Sequence, residues 1–321
     1  MPSGIQPSTP QKTIPVSVFI LAYNQEKTIH QAIQGIVDQS YPIDQFIVSD
    51  DCSTDSTWEQ INQFFSNDNQ LKGNIKDIVL RRNDTNMGLI AHNNLVTSLV
   101  RNEIFIGHAG DDISRPDRIL KSIGFYVQIG QPKYFLMHTQ VRAIDLPNQP
   151  ILIPPVIQQN MEIQHIALSL ALHFGATSVC SQYLWEKFGN ISIENTYEDL
   201  ILGFRAALSR SYYYIPEPLL DYRALGGISD HSRFAAEPDG GALTYYKHRI
   251  ATYKQRLLDA KAVGRTDMVN LLQETLDKYL LLPEEFDPVE YLNLNHDVKM
   301  AKFNPIDHYI HFGIKEQRLY K

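Results

Sequence analysis

From Ile14 to about Ile106 the chain repeats one unit: a short apolar run, a polar turn, then an apolar stripe at helical spacing. Val16–Leu21 is nearly continuous in apolar residues, as expected of a strand buried on both faces. The next stretch puts Ile29, Ile33, Ile36 and Val37 on one helical face. Phe46–Ser49 reads as the second strand. Ser56-x-x-Glu59 then has the form of a capping box, followed by a helix with Trp58, Ile61 and Phe65 on one side. Ile78–Leu80 and Ile104–Ile106 continue as strands, with a helix around Ile90–Val100 between them. This alternation predicts βαβ units and an α/β fold with a mostly parallel sheet flanked by helices. Such sheets bind ligands beyond the carboxyl ends of their strands. The polar residues there are Tyr23, Asn24 and Glu26 after the first strand, Asp50 and Asp51 at the end of the second, and Asp111 and Asp112 after Ile104–Ile106.

The second half is less regular. Tyr134–Leu146 reads as extended chain and Leu146–Pro155 as a Pro-rich connection. Tyr197–Arg210 is helical, with Leu200, Phe204, Ala207 and Leu208 on one face, and Tyr212–Ile215 returns to strand. From Gly241 to Leu282 the pattern is helical, with no proline before Pro283. The tail holds a short repeat: Phe286-Asp-Pro-Val-Glu recurs as Phe303-Asn-Pro-Ile-Asp. Asp287 and Asn304 suit N-caps, and Pro288 and Pro305 suit the first helical position. Each copy should start a short helix, with Tyr291, Leu292, Tyr309, Ile310 and Phe312 forming an apolar seam. A unit below roughly 40 residues rarely folds alone, so it is expected to dock on the preceding helices or on a protein partner. The chain therefore divides into a flexible tail over 1–13, an α/β domain over 14–235, a helical segment over 236–282 and a repeat module over 283–321.

Charge removes some partners. Lys+Arg 29 against Asp+Glu 36 gives a net charge of -7, which argues against a nucleic-acid binder and against a polybasic membrane anchor. The start of the chain is polar, without the apolar core of a signal peptide, and its longest apolar run falls short of the roughly 18 residues that span a membrane. Cys52 and Cys180 are too few for a disulfide scaffold and form no C-x-x-C pattern. These features predict a reduced, cytoplasmic setting, in solution or peripheral at the inner face of the membrane.

The segment Val16–Thr57 resembles the start of family 2 glycosyltransferases of the GT-A fold, a nucleotide-diphospho-sugar-binding α/β domain. Later landmarks follow in order: Asn86-Met-Gly, the run from Ala109 through Gly110, Asp111 and Asp112 to Arg118, Glu198-Asp199, and Tyr222-Arg223. The resemblance covers about Ile14 to Ser232, most of the chain. It implies nucleotide-sugar contacts at Leu21, Tyr23, Glu26, Asp51, Asn86, Asp111, Arg223 and Ser229, a metal ligand at Asp112 and a catalytic base at Asp199.

These residue types suit those roles. A ring at Tyr23 can pack on a nucleobase, and Asp51 can accept from a pyrimidine ring N–H, which favours uracil or thymine. Mg²⁺ and Mn²⁺ prefer carboxylate oxygens and leave positions for phosphate. The family's D-x-D-like site has Gly110 in its first place here, followed by Asp111 and Asp112. At the start of a helix, Asp199 should be held ionised by the helix dipole. Each position also has a plain structural reading. Asp50 and Asp51 suit turns, Asp55 suits a helix cap, Glu26 and Asn86 suit turns, and Asp111-Asp112 or Glu198-Asp199 suit helix starts. Cys52 stands where many relatives have Gly and reads as a packed small residue. The stretch from His173 to Ser178 suits either an acceptor pocket or core packing.

Two departures stand out. Relatives have an Arg, a His and a Ser near Arg223 and Ser229, and the His is missing here unless His231 replaces it. Asn93-Asn94 stands where relatives often have Arg-Asn. The expectation is an inverting, metal-dependent glycosyltransferase that uses Mn²⁺ or Mg²⁺. It would move a sugar from a UDP- or dTDP-sugar to a hydroxyl of a glycan or lipid-linked glycan in surface polysaccharide synthesis. The rival is a catalytically degenerate, glycan-binding or assembly scaffold of the same fold. A sugar nucleotidyltransferase would want a Gly-rich basic loop after the first strand, and Leu21-Ala-Tyr-Asn-Gln-Glu lacks one.

Overall fold

The structure is a computed structural model and describes residues 13–66, 73–146, 148, 150–225 and 239–321. Among these, one sheet is built from β1 (Val16–Ala22), β2 (Gln45–Asp50), β3 (Ile78–Arg82), β4 (Ile104–Ala109), β5 (Ile113–Ser114), β6 (Leu136–Ala143), β7 (Ile151–Leu152), β8 (Val179–Ser181) and β9 (Tyr212–Tyr222). Its helices are α1 (Ile29–Val37), α2 (Thr57–Phe65), α3 (Leu89–Ser98), α4 (Arg118–Gln128), α5 (Pro155–Gln158), α6 (Ile163–Leu168) and α7 (Gln182–Phe188). They continue as α8 (Glu198–Leu208), α9 (Ala242–Ala262), α10 (Thr266–Tyr279), α11 (Pro288–Leu294), α12 (His296–Met300) and α13 (Pro305–His308).

The sheet order is β3-β2-β1-β4-β8-β6-β9-β5, with β7 beside β6. The β3-β2-β1-β4 half is parallel, as the βαβ reading requires. Beyond it the sheet is mixed: β8 runs antiparallel to β4 and β6, while β9 runs parallel to β6. The continuous apolar run of β1 has a simple cause. Val16, Val18 and Ile20 enter the core under α1, α2 and α4. Phe19 enters a second core, against Ile90 and Val96 of α3, Trp185 of α7 and Ile201 of α8.

Helix α8 is buried on almost every side. Ile201, Leu202 and Ala206 face the sheet-side core, while Leu200, Phe204 and Leu208 join a third core with α6, α9, α10 and the tail. Burying a Leu or Phe contributes about 1.5–3 kcal/mol, so α8 is anchored from both directions. Both tail caps form. Asp287 accepts from the Val289 and Glu290 amides (2.8 and 3.0 Å), and Asn304 accepts from Ile306 and Asp307 (both 3.0 Å). The module docks on the preceding helices, where Asp307 accepts from Arg249 of α9 and from the Tyr279 hydroxyl of α10. Tyr291, Tyr309 and Ile310 of the expected seam are buried, whereas Phe312 is exposed.

Two local expectations change. Ser56 makes no side-chain cap on α2. Asp55 caps it instead, accepting from the Thr57 amide (2.9 Å), while Glu26 takes the Ser56 amide (3.2 Å). The carboxylate one residue earlier simply outcompetes the hydroxyl. Cys52 is more than a packed small residue: its φ of 59° lies in the left-handed region that favours glycine. No helix among the described residues is long and apolar enough to cross a membrane.

Candidate active site at the carboxyl ends of the strands

The end of β1 is the hub. Its Ala22 carbonyl accepts from the Asp51 amide (2.8 Å) and its Leu21 carbonyl from the Gly110 amide (3.1 Å). The turn after β2 and the turn after β4 are thereby held against the same strand end. Thr28, just before α1, adds a bond to the Gly110 carbonyl (3.0 Å). A Cβ on Gly110 would stand 2.2 Å from Gln25 Oε1 and 3.1 Å from Ile29 Cδ1. An aspartate in this first D-x-D place would need the end of the Gln25 side chain to move.

Asp51 is buried, and its carboxylate carries the loop between β3 and α3. It accepts from Asn83 Nδ2 (2.6 Å), the Met87 amide (2.9 Å) and the Gly88 amide (3.0 Å). A carboxylate offers about four acceptor sites, so one remains on the Oδ2 side. Beneath it, Arg81 donates to Ser49 and Asn83, and Ser49 meets His92 Nε2 at 2.6 Å. Burial pushes His92 down to about 4 despite the neighbouring Asp51 charge. Tyr23 stands exposed beside this turn, with 43% of its surface open. Glu26 and Asn86 serve their turns, Asn86 accepting from the Gly88 amide (2.8 Å).

Asp111 and Asp112 start no helix: β5 follows them and pairs with β9. That pairing brings the end of β9 to the acids, and Asp112 Oδ1 accepts from the Arg223 amide (2.9 Å). The Arg223 side chain reaches Gln31 of α1. Burial raises both carboxyls, and for Asp112 the adjacent Asp111 charge adds to the rise. Two hard-oxygen donors that repel one another, one buried and one half-buried, fit a divalent cation, which would lower both. Among the described residues no cluster of three or more His, Cys, Asp or Glu could hold a metal alone, so the other positions would fall to water and phosphate oxygens.

Glu198 and Asp199 open α8. A 3-10 turn over Gly175–Thr177 lies on them, and a Cβ on Gly175 would come within 2.7 Å of Glu198 Oε1. Asp199 accepts from the Leu200 amide (2.7 Å). Its carboxyl is not held down by the helix start, as its position suggests. Burial first, and then the Glu198 charge, push it up to about 8. Desolvation outweighs the dipole: the turn over Gly175 packs against both side chains, which keep only part of their surface exposed. The rest of the His173–Ser178 stretch is core packing: His173 is buried between the Tyr212 hydroxyl (2.8 Å) and Ser178 (3.0 Å).

The two acidic groups are tied together by Arg118, the last residue of the run that begins at Ala109. Its guanidinium is fully buried and donates to Ser114 (2.9 Å), the Gly107 carbonyl (3.1 Å) and the Ala176 carbonyl (2.7 Å). Asn94, in the place of interest in α3, is committed elsewhere. It accepts from the Ile191 amide (3.0 Å) and donates to the Ile191 carbonyl (2.8 Å). Ser229 and His231 lie outside the described residues.

A parallel half-sheet continued by mixed strands, with acids gathered at its carboxyl ends, is the GT-A glycosyltransferase architecture. The solved structures it matches are of that class. The complex of S. aureus TarS 1-349 with UDP-GlcNAc is 15% identical, with 96% of this chain and 93% of that chain covered and a TM-score of 0.55. The mannosyltransferase PcManGT of Pyrobaculum calidifontis, solved with GDP-Man and Mn²⁺, is 14% identical over 94% of this chain and 86% of that one, again with a TM-score of 0.55.

The sequence profile described as "Glycosyl transferase family 2" matches residues 17–131. The putative colanic acid biosynthesis glycosyl transferase WcaA of Escherichia coli (strain K12) is 26% identical over 139 residues, 43% of this chain and 47% of that protein. The chain spans less than half the length of the curated relatives it matches, which are named as glycosyltransferases.

Proposed function

We propose that the protein is an inverting glycosyltransferase that moves a sugar from a nucleotide-diphospho-sugar to a hydroxyl of a glycan acceptor. The observation that carries this reading is the convergence of Asp51, Asp111, Asp112 and Asp199 on one end of the sheet, in a chain whose residues 17–131 match family 2. The donor's base would stack on Tyr23 and meet the remaining acceptor site of Asp51, which favours a ring N–H and so UDP- or dTDP-sugars. Asp112 and Asp111 would hold Mn²⁺ or Mg²⁺, which supplies Lewis-acid neutralisation of the departing diphosphate. Arg223 adds a cation beside the same acids. The metal reading is supported by the raised carboxyls and by the Mn²⁺ in the PcManGT complex.

Asp199 would take the proton of the acceptor hydroxyl as its oxygen attacks the anomeric carbon. An ordinary carboxylate near pKa 4 is a weak base for an alcohol, but one pushed up to about 8 is close to the optimum for transfer near neutral pH. A place in surface polysaccharide synthesis is supported by the name of WcaA and by the tail repeat, which we read as a module for an acceptor or a protein partner. The experiment is a panel of UDP-, dTDP- and GDP-sugars with Mn²⁺ or Mg²⁺, scored by thermal stabilisation and by slow donor hydrolysis. One or two donors should stand out. No response from any of them favours a scaffold of the same fold.

A further inference from the structure

We infer that Arg256, on helix α9 and far beyond the matched residues 17–131, is a positioning residue that orients the first turn of α8 and supplies the positive charge balancing Asp199. The inference rests on the reading of Asp199 as the base only for its effect on transfer.

The Arg256 side chain is completely buried. Its Nε and Nη2 donate to the Leu200 carbonyl (3.2 and 2.8 Å), and Nη1 donates to the carbonyls of Ala167 (3.0 Å) and Ser169 (2.7 Å). One guanidinium thus fastens the residue after Asp199 to the end of α6, while its flat face lies 5.6 Å from the Phe204 ring centroid. All four bonds go to neutral carbonyls. A buried charge is costly unless an opposite charge stands near it, so its counter-charge must be sought among the neighbouring acids.

Two acids lie near. Asp259 is already taken: it forms a two-pronged bond with Arg205 (2.8 and 3.0 Å) and accepts from Gln255 (3.0 Å). Asp199 holds no salt bridge among the described residues and accepts one amide bond there. The charged and titratable groups facing it are Glu198 on its own helix, Tyr212 from β9 and Arg256 from α9, and only the last opposes its ionisation penalty. Arg256 is itself lowered to about 10 by burial, with Asp199 among the groups that hold it up. The C-terminal helical region is therefore part of the surroundings of Asp199.

The test uses full-length protein carrying ¹³C-carboxyl aspartate, with the Asp199 resonance assigned from Asp199→Asn. Arg256→Gln keeps a donor for the Leu200 carbonyl but removes the charge, and its Asp199 midpoint should rise by about one unit or more. Arg256→Lys keeps the charge and should leave the midpoint within about half a unit of native. Equal midpoints in native, Gln and Lys proteins would overturn the proposal. If the Gln variant does not fold, the native protein decides. Its stability relative to Asp199→Asn should decline from about pH 5 to pH 8, and Arg256→Lys should show the same decline, a steeper one overturning the proposal. A flat difference across that range contradicts the assignment. These readouts need no donor or acceptor, so they fail independently of the glycosyltransferase reading. If transfer is measured, the acid limb of its pH profile moves up in Arg256→Gln while UDP–Mn²⁺ stabilisation stays unchanged.

Discussion

Arg118 donates from a fully buried guanidinium to the Ala176 carbonyl at 2.7 Å, and this bond joins the Asp111–Asp112 side of the site to the Glu198–Asp199 side. Arg118 follows Asp112 by six residues on the same segment, and Ala176 belongs to the turn that lies on Glu198 and Asp199. Removing the guanidinium leaves the Gly107 and Ala176 carbonyls without it, at about 1–3 kcal/mol for each buried acceptor. Arg118→Met should lower stability by about 2–4 kcal/mol, read by urea unfolding, and should reduce transfer more than UDP binding. An unchanged unfolding midpoint would show that the turn is held by other means.

Asp51 satisfies three donors of the loop after β3, so its loss is felt twice. Asp51→Ala should cost about 2 kcal/mol of stability and abolish the preference for UDP over CDP in thermal shift. Asp51→Asn should retain more stability, since its carbonyl can still take one or two of the amides. A variant that keeps full stability and uridine preference would remove Asp51 from both roles.

How much of this was legible in the sequence differs from place to place. The parallel half was, because buried parallel strands are apolar on both faces and β1 shows that directly. The acids after the strands were found by the same rule. The mixed half was legible only in part: Tyr134–Leu146 and Tyr212–Ile215 read as extended and contain β6 and the start of β9, whereas β8 is three residues long and β9 runs on from Ile215 to Tyr222 through two prolines. Nor were Arg118 and Arg256, since a buried arginine looks like a surface one until its carbonyl partners are known. The raised Asp199 shows the same limit. A helix start argues for ionisation, and only the turn over Gly175 reveals the desolvation that reverses it.

Cys52 adopts φ 59°, a conformation that costs a residue with a Cβ about 1 kcal/mol or more. Cys52→Gly should therefore be neutral or stabilising by up to about 1 kcal/mol, with donor binding intact. Cys52→Val should be destabilising, because a β-branched residue tolerates this region least. Thermal unfolding of the three proteins at one pH decides the order.

Asp111 and Asp112 sit above the usual carboxylate range, so in the absence of metal their burial favours the protonated forms. The sign follows: a raised folded pKa contributes stability at low pH that is lost as pH climbs through the folded value. A divalent cation binds the ionised pair and reverses that loss. The stabilisation by Mn²⁺ with UDP should thus grow as pH rises above the ordinary carboxylate range and vanish in Asp111→Asn/Asp112→Asn. Stabilisation independent of pH, or retained in the double variant, would place the cation elsewhere.

As the proposed base, Asp199 accepts the proton of the acceptor hydroxyl, so its loss should stop transfer and spare donor binding. The most direct measurement is transfer by Asp199→Asn from the donor that stabilises the native protein most, followed together with nucleotide binding. Transfer should fall by about 100-fold or more, with UDP–Mn²⁺ stabilisation within error of native. Transfer at the native rate in that variant would contradict that role.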